Sequence, residues 1–286
     1  MLGFLNVYKS KGMTSHDVVA RLRRVTKIKQ IGHTGTLDPF AEGVLPICIS
    51  KATRLIEYLD DEKEYLATIQ FGSSTTTYDL EGEIVTTFEK KVVEKDVIKG
   101  LEDFRGEISQ LPPIYSAIKV NGKKLYDYAR SGEEVEIKPR DVVIEKIELR
   151  NFDEINQTAE VLIKCSKGTY IRSIVHDLGQ NLEVGGHLIK LVRTQAGKFF
   201  VDKSINIDEI NDVETVLKNL INPIEMLNLV SIKIDENDCK LINNGMAIAN
   251  KNNEIKDGDF VILVYNENIK AVGYVEKSVI KMKKVF

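Results

Sequence analysis

Apolar and polar positions alternate with two different periods along the chain, and the period marks the elements. Between Ser15 and Lys29, Val18, Val19, Leu22 and Val25 recur at helical spacing, with Ser15 placed to cap the start. In KEYLATIQFG, residues 63–72, Tyr65, Ala67, Ile69 and Phe71 share one side, the period of a strand. Residues 94–104 return to helical spacing at Ile98, Leu101 and Phe104. Residues 110–132 run from a Pro-stiffened loop through a turn at Asn121-Gly122 into a short helix. Segments 141–150 and 158–166 read as paired strands, and after Gly168 a helix carries Ile171, Ile174, Val175 and Leu178. A boundary is expected between residues 222 and 230. Beyond it come strand-like VSIKI, a short helix ending at Gly245, and a hairpin pattern turning at Asn266-Glu267-Asn268. The expectation is a mixed α/β unit, 1–225, followed by a compact β-rich, barrel-like module, 228–286.

Composition narrows the class. Of 286 residues, 43% are hydrophobic and 29% charged, the balance of an ordinary globular protein with a full core. Cys48, Cys165 and Cys239 fit neither a zinc site nor a disulfide framework, and their odd number favours a reducing compartment. The N-terminus lacks the apolar run of a signal peptide, and no stretch approaches the roughly 20 apolar residues of a membrane helix. The expected location is the cytoplasm. Net charge is −3, but residues 1–55 carry nine Lys or Arg against three Asp or Glu, while residues 201–260 carry six against twelve. A phosphate-rich partner meets the first segment more easily than the second.

The segment GHTGTLDPFAEGVLP holds the candidate chemistry. Asp38 precedes Pro39, a position biased to extended backbone, and Gly32, Gly35 and Gly43 permit tight turns and close approach of a large ligand. A carboxylate in such a loop can be presented to that ligand; it can equally cap a turn. The loop is neither a Walker A sequence nor a dinucleotide fingerprint.

Five segments in order resemble the motifs of the TruB family of pseudouridine synthases. They are this loop, KEYLATIQFG, QLPPIYSAIKVNGKKLYDYARSG at 110–132, GTYIRSIVHDLG at 168–179, and HLIKLVRTQAG at 187–197. Together they span residues 32–197. The C-terminal module resembles a PUA domain through its pattern. The resemblance implies an α+β fold: a mixed, largely antiparallel central sheet with flanking helices, the active-site cleft crossing it, and the small module extending the RNA surface. It also implies an isomerase of the bacterial, tRNA-acting type, converting the uridine at position 55 of the T-arm loop to pseudouridine. The reaction is redox-neutral and transfers no phosphate, so neither cofactor nor metal is implied. The expected partner is tRNA, with no membrane or protein partner, and the expected state is a monomer.

Residue by residue, Asp38 matches the family's catalytic carboxylate, a nucleophile or base at the reacting centre. The target base must leave its stack to reach it, and Tyr65 matches the aromatic residue on which the flipped base lies. Arg172 matches the active-site arginine that keeps the carboxylate ionised and oriented. Asp79 resembles an aspartate near the pocket, although Thr76 stands where many relatives carry an acid. His33 matches a histidine that inserts into the T-loop, Leu191 an apolar residue lining the base pocket, and Tyr170 is placed with the substrate-binding residues. Lys9, Arg21, Arg23, Arg24, Lys119, Lys123, Lys124 and Arg193 are candidates for phosphate contacts, which set affinity rather than sequence choice.

Ser173, His176 and Asp177 share letters with a hydrolase triad but lie within about one helical turn, and no GxSxG elbow exists. His176 and His187 lack metal-ligand spacing, and the sequon Asn156-Gln157-Thr158 means nothing without a secretory signal. Two other readings stand beside the tRNA enzyme: a non-catalytic tRNA-binding or tRNA-folding protein on the same scaffold, and a guide-RNA-directed rRNA pseudouridine synthase. A small-molecule hydrolase built on Asp38 lacks a second placed acid.

Overall fold

The computed structural model describes residues 1–252 and 254–286. Its main sheet takes strands from most of the chain: β1 (Gly3–Lys9), β2 (Glu42–Ile49), β3 (Lys63–Phe71), β4 (Gly106–Gln110), β5 (Arg140–Asp153), β6 (Thr158–Cys165), β7 (Gly186–Ala196) and β8 (Ile205–Asn206). Their lateral order is β8-β1-β2-β7-β3-β6-β5-β4, with the short strands Ile31–His33 and Phe199–Phe200 added on β2 and β7. Neighbours on this path run antiparallel except β8 with β1 and β2 with β7. The fold is therefore α+β with a mixed, largely antiparallel sheet, as expected.

β3 alternates as its pattern predicts, burying Tyr65, Ala67, Ile69 and Phe71. β1 and β2 are buried almost throughout and do not alternate. The reason is a core on each face: Leu5, Val7, Leu45 and Ile47 point into one cluster, Phe4, Val44 and Cys48 into another. A strand covered on both faces carries no period-2 signal.

Three helices flank the sheet: α1 (Ser15–Thr26), α2 (Glu94–Glu102) and α3 (Ile171–Asn181). The cap of α1 is Thr14 rather than Ser15. Thr14 Oγ1 accepts from the Asp17 amide at 3.1 Å and the Asp17 carboxylate accepts from the Thr14 amide at 2.8 Å, a reciprocal capping box. In α2 Leu101 is buried as expected, as is Phe104 just beyond it, but Val97 takes the buried place expected of Ile98, which is 47% exposed. α3 buries Ile171, Ile174, Val175 and Leu178.

A second sheet begins at Val230 and contains Val230–Lys233, Phe260–Tyr265, Asn268–Glu276, Val279–Val285 and Ile248–Ala249, in that lateral order. It is a curled half-barrel beside the helix Glu236–Asn243, with a final strand that the sequence pattern did not announce. It does not stand apart. Ile262, Val264, Ile269 and Val272 join Phe4, Val44, Leu55 and Phe199 in one buried cluster. The three cysteines are buried free thiols. Among the described residues no helix is long and apolar enough to cross a membrane.

Candidate active site

Residues 34–40 connect the strand Ile31–His33 to β2, and buried side chains clamp this loop from several directions. The Ser15 hydroxyl accepts from the Leu37 amide at 2.8 Å and donates to its carbonyl at 3.2 Å. Lys9 Nζ donates to the carbonyls of Met13, Ser10 and Pro39 at 2.8, 3.1 and 3.3 Å. Arg193 donates to Val44, Gly35 and Thr36 carbonyls at 2.6, 3.2 and 3.4 Å. Gly43, at φ +105°, lets β2 approach β7 here: a Cβ would lie 2.3 Å from the Arg193 carbonyl. The result is a loop held by charge-assisted bonds to its own backbone.

Asp38 is presented from that loop with 35% of its side chain exposed, at a cavity of about 300 Å3. Arg172, in the first turn of α3, places Nε 3.0 Å from Asp38 Oδ2. The approach is close but the N–H is not aligned for a hydrogen bond. The rest of the guanidinium is committed elsewhere: Nη1 donates to Thr77 O at 3.1 Å and lies 3.3 Å from Asp79 Oδ2, and Nη2 donates to Tyr115 O at 2.9 Å. Burial pushes the Asp38 carboxyl above its usual value; Arg172 opposes this, Asp79 adds to it, and Lys9 opposes it. Burial likewise holds the Lys9 ammonium down, to about 8.

Tyr65, Tyr170 and Leu191 line the same cavity. Tyr65 is 7% exposed, paired across the sheet with Arg193 on one side and Ile163 on the other, and burial raises its hydroxyl pKa. Tyr170 is fixed through its backbone, which exchanges bonds of 2.7 and 2.9 Å with the Gln110 amide. Asp79 is buried behind Arg172, accepting from Thr77 Oγ1 at 2.5 Å and the Glu81 amide at 3.0 Å. Thr76 is exposed and takes part instead in closing its loop, accepting from the Glu83 amide. His33 lies next to the cavity without lining it, its charge disfavoured by burial and by Arg193.

Two residues read as phosphate contacts belong to the interior. Arg193 is 1% exposed and Lys9 is 0% exposed, and both spend their donors on backbone carbonyls: Arg193 on Gly35 and Thr36 of the Asp38 loop and on Val44, Lys9 on Pro39 of that loop and on Ser10 and Met13. Sequence parity held the signal: Lys9 follows Leu5 and Val7 on one face of β1, and Arg193 follows Leu191 on β7. Arg21 is tied to Asp208, Ile210 and Asn211, and Arg23 to the Ile31 carbonyl. Arg24 and Lys119 are exposed; Lys123 pairs with Glu133 and lies over Tyr128. Ser15, Lys63 and Ser116 were not foreseen. The first holds the loop, and the other two line the cavity.

A model described as the N-terminal domain of TruB family pseudouridylate synthases matches residues 23–171, and one for the C-terminal domain of tRNA pseudouridylate synthase B matches residues 172–228. The chain belongs to the TruB family. Relatives named tRNA pseudouridine synthase B include one from Caldanaerobacter subterraneus, 42% identical over 99% of both chains, and one from Oceanobacillus iheyensis, 42% identical over 95% of this chain and 92% of that one. Its fold is also that of a chain in an H/ACA RNP bound to a substrate RNA containing 2′-deoxyuridine. That match has a TM-score of 0.73 and 24% identity, covering 99% of this chain and 84% of the other. The archaeal box H/ACA sRNP Nop10–Cbf5 complex gives 0.71 and 25%, covering 99% and 85%. As a TruB family member the chain is an enzyme, a pseudouridylate synthase. The TruB family models end at residue 228, just before the second sheet starts at Val230.

Proposed function

We propose that this synthase isomerises the uridine at position 55, in the T-arm loop of tRNA, and that Asp38 is its catalytic carboxylate. In this isomerisation the bond from ribose C1′ to uracil N1 breaks, the base turns, and C1′ joins C5. The proton at C5 is lost and N1 gains one, so the reaction balances without a redox partner. A carboxylate serving as nucleophile or base at that centre is the group the chemistry requires. The observation that carries the reading is the pairing of Asp38 with Arg172 at the mouth of a cavity walled by Tyr65 and Leu191. The base flips out of its loop into that cavity and stacks on Tyr65, recovering part of the cost of unstacking. Asp79 and Tyr170 support the pocket, and His33, beside it, reaches into the opened T-loop.

Residues 1–225 form the catalytic unit and residues 228–286 a PUA-like module that widens the RNA surface. Phosphates are met by Arg24, Lys119 and Lys123, with Arg21 at the margin. The enzyme works as a monomer on tRNA alone. Relatives named tRNA pseudouridine synthase B along nearly the whole chain favour this over guide-directed action.

The test is tritium release from 5-labelled uridine in an unmodified T-arm stem-loop, without guide RNA, for wild type and Asp38→Asn. Release by the wild type alone supports the reading. No release by either, with both binding the RNA, rejects it in favour of a binder or a guide-dependent enzyme.

A further inference from the structure

His176, set aside as a triad member on sequence grounds, meets an aromatic ring instead. It stacks on Tyr78 with ring centroids 3.8 Å apart and planes 14° from parallel. Tyr78 is the residue before Asp79, and His176 stands one helical turn after Arg172, on the same face of α3. The segment Thr77–Asp79 is therefore bracketed. Arg172 Nη1 takes Thr77 O at 3.1 Å and approaches Asp79 Oδ2 at 3.3 Å, while the ring between them is held by His176. From below, the Leu188 amide donates to Tyr78 O at 3.0 Å.

Two further features mark the stack as more than filler. Tyr78 has φ +64°, a left-handed conformation that a bulky residue adopts only when its surroundings enforce it. His176 Nδ1 is buried without a hydrogen-bond partner among the described residues, so the imidazole is held there by packing on the phenol ring rather than by a polar bond. Burial also lowers the pKa of that imidazole and so disfavours its charged form.

We propose that Tyr78 and His176 are a positioning pair, whose stack fixes Thr77–Asp79 on α3 so that Arg172 is held with Nε toward Asp38. The inference rests on the roles given to Asp38 and Arg172 above. Without the stack, Thr77 O and Asp79 no longer hold Nη1 in place, and the guanidinium can swing from Asp38. The effect falls on chemistry, not on tRNA binding, because neither ring lines the cavity.

The experiment compares Tyr78→Phe, Tyr78→Gly, His176→Phe and His176→Ala with wild type. It measures tRNA affinity, the single-turnover rate of pseudouridine formation across pH, and the melting temperature. Gly suits the left-handed backbone, so Tyr78→Gly removes the ring without adding strain. The two Phe variants keep a stacked ring and are expected within about threefold of wild type, whereas Tyr78→Gly and His176→Ala lose about tenfold or more in rate at unchanged affinity. Their acid limb moves to higher pH, because Asp38, facing Arg172, Asp79 and Lys9, loses part of the guanidinium's pull. Wild-type rates and pH profiles in Tyr78→Gly and His176→Ala overturn the inference, as does equal loss in the Phe variants. Should His176→Ala not fold, Tyr78→Gly decides. An inactive wild type removes the functional reading and this inference with it; an active wild type with unaltered Tyr78→Gly removes this inference alone.

Discussion

Arg172 Nε lies 3.0 Å from Asp38 Oδ2, while the two terminal nitrogens of the same guanidinium are held by Thr77 O, Tyr115 O and Asp79 Oδ2. Three loops distant in sequence meet on one side chain that is itself 6% exposed. The arginine is both the electrostatic partner of Asp38 and the rivet of the pocket wall. Arg172→Lys keeps the charge but lacks the planar fork. Its single-turnover rate is expected to fall at least about a hundredfold. Arg172→Gln, which leaves Asp79 unpaired, is expected to lower stability by about 3–5 kcal/mol as well. Denaturant melts and rates measured on the same preparations check both. A lysine variant with the wild-type rate would remove the fork from the account.

Lys9 gives a pH signature. Its pKa in the fold, about 8, lies below its usual value of 10.5. Between those values the unfolded chain holds a proton that the folded chain has released, so stability rises with pH across that window. Below about 8 both states are charged and the penalty of the buried ammonium is constant. The stability of wild type relative to Lys9→Met is therefore expected to increase from pH 8 to 10, read by chemical denaturation. A flat difference would mean that the three carbonyls keep Lys9 charged throughout.

Arg193 and Lys119 separate interior from surface. Arg193→Leu strands the Gly35, Thr36 and Val44 carbonyls and is expected to cost about 1–3 kcal/mol of stability or more. It should leave the salt slope of tRNA binding unchanged. Lys119→Ala should leave the melting temperature unchanged and lower the slope of log affinity against log salt by about 0.7–0.9. Slopes from binding titrations at several salt concentrations distinguish the two.

How much of this was legible follows from which faces were covered. β3, with one face on the core and alternate residues turned outward, stated its period openly, and so did α3. β1 and β2, buried on both faces, did not. Asp38, Tyr65, Arg172 and Leu191 were found through the order of motifs, and the cavity brings them together. Lys9 and Arg193 were misread because a cation in a chain expected to bind RNA suggests a phosphate. Their place on strand faces behind Leu5, Val7 and Leu191 was the better guide. The Tyr78–His176 stack had no sequence signal, since only the crossing of α3 over the 77–79 segment creates it.

Removing residues 228–286 is expected to do more than weaken RNA binding. The deletion uncovers Phe4, Val44 and Leu55, each fully buried against the second sheet. At about 1.5–3 kcal/mol per fully buried apolar side chain, the remaining unit loses a large part of its stability. The truncated chain is expected to melt at least about 10 °C lower. An unchanged melting temperature would show that the first unit closes its own core.

The position of β7 has a consequence for when the enzyme exists at all. That strand comes from residues 186–196, yet it lies between β2 and β3, which are finished by residue 71. During synthesis the early strands must wait, with the middle of their sheet vacant, until more than a hundred further residues have been made. Arg172 and Arg193 arrive with the same late segment. A nascent chain that stops short of residue 172 lacks the arginine that faces Asp38, and one that stops short of residue 193 lacks the side chain that holds its loop, so completion of the catalytic pocket follows translation of the sheet's centre rather than of its beginning.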